Sequence, residues 1–226
     1  MLGELARAVE ENGFCLRGGF ELDDAQREDL PASCASARSL VLIGNAGPAM
    51  WERFAASRPR CPDPLDHWTR ETLYAVAERF GAAAVFPFQK PYLPFQRWLM
   101  KAEPCHSSPL GIVIHPRYGL WHGLRGALLF AHGIEFPAVE AVPSPCETCA
   151  EKPCLDACPA GAFSGRGYDT GLCLGELGGE DRGNCMALGC LARRACPVGQ
   201  EFRYAPAQAS FHMQAFRQAF PGGKPD

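Results

Sequence analysis

The sequence predicts an α+β domain built on an antiparallel or mixed sheet, followed by a small cysteine-rich domain. Three observations lead there. Strand-length apolar runs and helical repeats follow one another up to about residue 136 without the glycine fingerprint of a dinucleotide-binding βαβ unit. The segment PAVEAVPSP, residues 137–145, then breaks all periodicity with prolines and small residues. Finally, eight of the twelve cysteines lie between Cys146 and Cys196. The implied division is residues 1–138, 139–203 and 204–226, the last a docking helix and tail.

The elements follow in order. Residues 3–12 suit a short helix with Leu5 and Val9 on one face. GFCLRGGF reads as a strand ending in a glycine turn, and SLVLIGN at 39–45 as a buried strand. PAMWERFAASR starts a helix after Pro48. Asp63 to Phe80 has the clearest helical period: Leu65, Trp68, Leu73, Val76, Ala77 and Phe80 make its apolar side, acidic residues occupy its start and Gly81 stops it. AAAVFPF is strand-like up to Pro87, and PYLPFQRWLMKA predicts a helix with Phe95, Trp98 and Leu99 turned inward. PLGIVIHP, 109–116, and ALLFAHG, 127–133, read as two strands paired across the glycine-rich turn RYGLWHGLRG. Near the end, Phe211, Met213, Phe216 and Phe220 predict a short helix that docks on the body, ahead of a frayed PGGKPD.

Composition narrows the function classes. An apolar share of 47% supports a real core, and a net charge of −3 offers no field for gathering nucleic acid or an anionic membrane. No run of eighteen apolar residues is present, so no membrane insertion is expected. The first residues lack a basic stretch followed by an apolar one, which argues against a secretory signal, and the cysteine usage described next makes the reducing cytoplasm the expected compartment.

The cysteine spacing carries the chemistry. Cys146, Cys149, Cys154 and Cys158 form C-x2-C-x4-C-x3-C-P. Cys185, Cys190 and Cys196 form C-x4-C-x5-C-P, with Cys173 ahead of them. A disulfide framework has no need of a Cys-Pro closing each half, and a reducing compartment disfavours one. Zinc is a second alternative. Iron–sulfur ligation explains the spacing best, because short loops of small residues let thiolates converge on a four-iron cube. The other four cysteines, Cys15, Cys34, Cys61 and Cys105, read as small packing residues. For Cys105, beside His106, an exposed reactive thiol is the alternative.

Residues 140–200 resemble the two-cluster bacterial ferredoxins, in which the fourth cysteine of each half ligates the other cluster. That resemblance assigns Cys146, Cys149, Cys154 and Cys196 to one [4Fe-4S] cluster. It assigns Cys158, Cys185, Cys190 and Cys173 to a second, whose loops are longer than the family's. The Lys-Pro inside the first half also resembles electron-transfer subunits of membrane oxidoreductases.

A second resemblance covers residues 39–137. The run GIVIHPRYGLWHGLRGALLFAHGIEFP is similar to the core of the MMACHC (CblC) cobalamin-processing family, with SLVLIGNAGPAMWERF and DPLDHWTRETLYAVAERF upstream. It implies a nitroreductase-like domain that binds cobalamin and removes its upper ligand. Epoxyqueuosine reductases and reductive dehalogenases join such a domain to a dicluster ferredoxin-like module, in the order found here. The helical-repeat tail of the tRNA-base enzymes, their catalytic acidic residue and the arginines that serve glutathione have no counterpart in this sequence.

The residues that transfer are His115, Pro116, Arg117, Tyr118, Gly119, Trp121, Arg125 and Gly126. The glycines admit close backbone approach to a planar ring, either arginine suits a corrinoid carboxylate, phosphate or amide, and Tyr118 and Trp121 offer flat contact. Turn building by Pro116 and Gly119, core packing by Trp121 and internal hydrogen bonding by His115 are the structural alternatives. His122 is a further candidate ligand, although the family holds cobalt without a protein ligand below it. Flavin is the competing cofactor.

The function these readings imply is an iron–sulfur corrinoid reductase or processing protein, passing single electrons to cobalt. The expected partners are a corrinoid, an electron donor such as a flavodoxin or a ferredoxin reductase, and a cobalamin-dependent enzyme, with no nucleic acid. The alternatives are a ferredoxin-like carrier for a partner oxidoreductase and a B12-dependent reductase of an organic substrate.

Overall fold

The computed structural model describes residues 1–164 and 167–220. The tail expected at 221–226 lies outside the described residues. The chain runs α1 (Leu2–Glu10), β1 (Cys15–Glu21), α2 (Asp24–Glu28), β2 (Ser39–Ala46), α3 (Ala49–Ala56), α4 (Pro64–Phe80), β3 (Ala83–Val85) and α5 (Phe95–Ala102). The strands β4 (His106–Ser107), β5 (Val113–Ile114) and β6 (His122–Phe130) follow. Then come α6 (Pro145–Thr148), α7 (Pro153–Asp156), β7 (Phe163–Ser164), β8 (Gly167–Tyr168), α8 (Thr170–Gly178), α9 (Cys185–Leu188), α10 (Leu191–Ala195) and α11 (Pro206–Ala219).

Two compact units share these elements. One takes Met1–Pro104 with His122–Ala141, the other Cys105–Trp121 with the chain from Val142 onward. The segment 105–121, assigned from sequence to the first domain, therefore lies in the cysteine-rich unit. Its apolar side chains explain why. Leu110, Ile114 and Leu120 are buried in one cluster with Cys154, Ala192 and Cys196.

The first unit is an α+β body around an antiparallel sheet of order β1-β2-β6-β3, in agreement with the class read from sequence. β2 is central, and Ser39 through Asn45 are all buried. Its Leu40, Val41, Leu42 and Ile43 pair with the apolar end of β6, Ala127 to Phe130. Each fully buried aliphatic chain contributes about 1.5–3 kcal/mol of transfer free energy. α4 turns Leu65, Leu73, Val76 and Ala77 inward as its period predicts, and also Thr69, while Trp68 and Phe80 stay half-buried. Gly81 ends it in a left-handed C-cap. α5 buries Phe95, Trp98 and Leu99 as expected.

One sequence expectation fails. The strands at 113–114 and 122–130 do not pair with each other. β5 pairs with β4, and β6 pairs with β2 and β3. The supposed turn residues His122 to Gly126 are themselves strand, because β2 offers partners for them: Ala46 opposite His122 and Asn45 opposite Gly123. Ile112, expected at a strand centre, is exposed.

A bulge in β1 sets the main polar contact of this unit. The register slips between Leu16 and Gly19, and Gly18 takes φ +68° while its Cα faces the Ala102 carbonyl. Arg17, at the slip, is wholly buried and grips Glu103 in a bidentate pair, Nε to Oε1 at 2.9 Å and Nη2 to Oε2 at 2.5 Å. Burial of Cys15 beside it pushes that thiol up to about 11. Breaking a buried pair strands a charge. Glu103→Ala is expected to cost about 3–5 kcal/mol in urea unfolding, toward the lower end because Glu103 keeps 14% exposure. Glu103→Gln, which retains one acceptor, is expected to cost less.

Candidate metal centre

Short helices place the thiols. α6 begins at Pro145 behind an N-cap serine, Ser144, and brings Cys146 and then Cys149 to its end. α7 begins at Pro153 after Lys152 in left-handed backbone, φ 42°, and carries Cys154. α10 has Cys190 at its N-cap and Cys196 at its C-cap. Asn184, φ 52°, and Gly189, φ 84°, bend the chain on both sides of α9, which starts at Cys185. Asp181 accepts from the backbone N–H groups of Cys185 and Met186 at 2.7 and 3.0 Å, holding that turn. Cys173 rides on α8, whose start Asp169 caps through Leu172 N–H at 3.0 Å.

The thiols fall into two sets by their mutual charge effects. Burial first, then Cys196 and Cys149, push the Cys146 thiol upward, while the Ser144 hydroxyl pulls it down. Cys154 is raised by burial and by Cys196, Cys146 and Cys149. Cys196 is raised by burial and by Cys149. All four line one small cavity together with Pro145, Lys152 and Pro197. In the other set, Cys173 is raised by burial and by Cys190 and Cys158. Cys190 is raised by burial and by Cys158. Cys185 is pushed up to about 11, mainly by burial, with Cys190 and Cys173 contributing.

The donor set has the chemistry a cluster uses. Backbone N–H groups are aimed at sulfur: Ala162 at Cys158 Sγ, 3.4 Å away, Ala192 and Arg193 at Cys190, Leu191 at Cys185 and Val198 at Cys196. The Ser144 and Tyr168 side chains lower the Cys146 and Cys173 thiols against the effect of burial, and Ser144 Oγ accepts the Cys146 backbone N–H at 3.3 Å. Among the described residues, no three of these thiols lie within 4.8 Å of one another. A single zinc ion, with Zn–S bonds of about 2.3 Å, holds its sulfurs closer than about 4 Å. The thiols are therefore spaced more widely than a zinc ion bound by three or four of them requires.

The eight residues singled out from sequence as corrinoid contacts are divided between the two units. His115, Pro116, Arg117, Tyr118, Gly119 and Trp121 lie in the cysteine-rich unit, and Arg125 and Gly126 in the sheet unit. His115 Nδ1 accepts the backbone N–H groups of Arg117 and Tyr118, at 3.0 and 3.1 Å, and its ring stacks on Tyr118 at 4.4 Å. The histidine thus builds the turn that Pro116 and Gly119 complete. Gly119, φ 56°, crosses Gly199 so closely that a Cβ on either glycine would collide with the other strand's backbone. Trp121 is buried against Tyr204. The Arg117 guanidinium lies over the Tyr118 and Phe202 rings.

In the sheet unit, the β2–β6 register slips between Ile43 and Gly44, so Arg125 is the extra residue of a bulge. Its Nε donates to the buried Asn45 Oδ1 at 3.0 Å. A Cβ at Gly126 would meet Leu73 at 2.7 Å, which makes it a helix-packing glycine. His122 opens β6. Cys105 is buried, as the packing reading of the outlying cysteines expects, and its alternative as an exposed reactive thiol is not found.

Three contributors were not evident from the sequence. Arg193 sits between the rings of Trp121 and Tyr204, 4.6 Å from each centroid, and donates Nε and Nη2 to the Leu120 carbonyl. It locks the 105–121 segment to α10. Ser144 and Tyr168 are the other two. Only Ser144 had a signal, a serine directly before Pro-Cys at a helix start.

No family model matches the sequence, and no curated protein does. Solved structures are similar in fold. Epoxyqueuosine reductase from Streptococcus thermophilus is 16% identical, with a TM-score of 0.54, covering 92% of this chain and 70% of that one. The Bacillus subtilis epoxyqueuosine reductase is 16% identical, with a TM-score of 0.55, covering 100% and 68%. The C. elegans B12-trafficking protein CblC is 14% identical, with a TM-score of 0.53, covering 100% and 98%.

The crossing of residues 118–119 with 198–199 allows a direct check. Gly119→Ala places a methyl about 2.0 Å from the Val198 carbonyl oxygen. It is expected to lower the thermal midpoint of the cysteine-rich unit and the iron taken up on reconstitution, whereas Gly81→Ala, with open space around its Cα, is expected to leave iron uptake unchanged.

Proposed function

We propose that this protein is an iron–sulfur oxidoreductase that delivers single electrons to a corrinoid. The observation that carries the reading is the sorting of eight cysteines into two groups of four. Cys146, Cys149, Cys154 and Cys196 would hold one [4Fe-4S] cluster, and Cys158, Cys173, Cys185 and Cys190 the other. The last cysteine of each half joins the other half's group, the exchange typical of dicluster ferredoxins. When bound, such clusters supply one-electron transfer. The chain's own residues shield the thiols from water, aim backbone N–H donors at sulfur and gather the four thiols of the first group around one cavity.

Cobalamin as the acceptor is supported by the fold shared with the epoxyqueuosine reductases and the B12-trafficking protein CblC. Arg117 and Tyr118, on the turn shaped by His115, Pro116 and Gly119, are the residues of the cysteine-rich unit that we assign to the corrinoid side. Pre-engagement of His115 Nδ1 by two backbone N–H groups supports a turn-building role over cobalt ligation. Among the described residues, no helix is long and apolar enough to cross a membrane. A second reading, a B12-dependent reductase of an organic substrate, is favoured by one observation: the epoxyqueuosine reductases match this chain across its cysteine-rich half as well, at up to 100% coverage. One of those structures holds a tRNA stem loop. The net charge of −3 argues against a nucleic-acid substrate here.

Anaerobic reconstitution tests both parts. About eight irons per chain are expected, as two four-iron clusters. Cys173→Ala is expected to drop the count to about four, and retention of eight would remove Cys173 from the ligand set. Cob(II)alamin added to the reduced protein is expected to change its visible spectrum and to be reduced. An unperturbed spectrum with no retained corrinoid overturns the cobalamin reading and leaves an electron carrier for a partner oxidoreductase.

A further inference from the structure

A cleft of about 460 Å³ opens beside the first thiol group, wholly within the cysteine-rich unit. His106, Ser107, Ser144, Cys146, Glu147 and Lys152 line it. Cys146 and Lys152 also line the cavity of the first four thiols, so the two spaces share a wall. The β4–β5 pairing sets one side of the cleft, with His106 opposite Ile114 and Ser107 opposite Val113. Ser144 Oγ accepts the Cys146 N–H at 3.3 Å, a bond that leaves the hydroxyl proton to be donated elsewhere. Lys152 stands in left-handed backbone, φ 42°, where glycine or asparagine is the usual residue. Its side chain is exposed, as is that of Glu147. Among the described residues, neither Lys152 nor Glu147 enters an ion pair, although both line the same space. His106 Nε2 is buried without a hydrogen-bond partner, a costly state that a ligand oxygen on this wall would relieve.

From this set of groups we infer that the cleft binds a phosphate monoester. Lys152 supplies the charge, and Ser107 and Ser144 supply hydroxyl donors, from three separate stretches of chain. A tetrahedral phosphate has three free oxygens to meet donors arriving from several sides, and a lysine ammonium serves it as a point charge. Glu147 adds an acceptor for a hydroxyl or amino group on the body of the ligand. The volume exceeds what a bare phosphate fills and lies in the range of about 300–1,000 Å³ typical of small-molecule sites. The shared wall couples the ligand to the first cluster, a consequence that rests on the iron–sulfur reading. Bound phosphate sets negative charge beside Cys146 and engages the Lys152 ammonium. It therefore opposes the entry of an electron and lowers the midpoint of that cluster. By reciprocity, reduction of the cluster weakens phosphate binding.

The test uses the reconstituted full chain, with iron counted first and ligand binding read by equilibrium dialysis. One ribose 5-phosphate per chain is expected, with inorganic phosphate weaker and neither ribose nor acetate competing. Lys152→Asn, whose side chain tolerates the left-handed backbone, is expected to keep its iron and to lose at least about tenfold in affinity. Lys152→Arg is expected to retain binding. No binding of ribose 5-phosphate at full iron content, or an unchanged affinity in Lys152→Asn, overturns the inference. Acetate bound as tightly as the ester overturns the choice of phosphate, and inorganic phosphate bound as tightly overturns the ester. Should Lys152→Asn lose iron, Ser107→Ala, at an exposed position, is expected to weaken binding by a smaller factor, and an unchanged affinity there overturns the inference. In an EPR-monitored redox titration, saturating ribose 5-phosphate is expected to move the midpoint of the cluster that survives in Cys173→Ala to a more negative potential. An unmoved midpoint overturns the coupling. A chain that binds the ester and takes up no iron overturns the iron–sulfur reading and supports the assignment of the cleft.

Discussion

Desolvation of cysteine sulfur is the constraint on which the cysteine-rich unit depends. A thiolate is poorly tolerated away from water, and several thiolates close together repel one another. Burial is accordingly the largest influence on every shifted thiol of both groups, with neighbouring cysteines adding to it. Only opposing positive charge and hydrogen-bond donors make such a site favourable for anionic sulfur. The backbone supplies the donors through short helices and left-handed bends at Lys152, Asn184 and Gly189. The cations are what we propose the clusters bring.

The segment 105–121 follows from the same constraint. Thiols kept from water need an apolar wall, and the cysteine-rich stretch supplies part of it through Leu155, Phe163, Ala192 and Val198. Leu110, Ile114 and Leu120 provide the rest. The chain leaves the first unit after Pro104, packs these three side chains against Cys154 and Cys196, and returns to the sheet at His122. Arg193 pins this excursion by its hydrogen bonds to the Leu120 carbonyl and by its place between Trp121 and Tyr204. The crossing of Gly119 and Gly199 admits no side chain on either residue. His115, Pro116 and Gly119 are therefore explained in the first place as architecture.

The sheet unit follows a different logic. Its centre is β2, buried from Ser39 to Asn45, and two bulges break the ladders on its flanks. Each bulge re-aims an arginine: Arg17 to Glu103, and Arg125 to Asn45. An arginine in a regular register would alternate with its neighbours between the two faces. The fold similarity to epoxyqueuosine reductases and to CblC spans this unit and the cysteine-rich one at 14–16% identity, a range in which architecture persists and side-chain roles must be argued separately.

By itself, the sequence determined what depends on local spacing. The α+β class, a helix over residues 63–80, a buried strand over 39–45 and the ligand-like cysteines all follow from periods and intervals along the chain. Tertiary structure decided what depends on partners distant in sequence. The strand partners of β6, the place of residues 105–121 and the influence of Ser144 and Tyr168 on the thiols have weak local signatures or none. RYGLWHGLRG reads as a turn because it is rich in glycine, yet its second half is strand because β2 lies open beside it. A periodic pattern records which face a residue shows. Which surface meets that face is settled only when the whole chain competes to remove apolar atoms and sulfur from water.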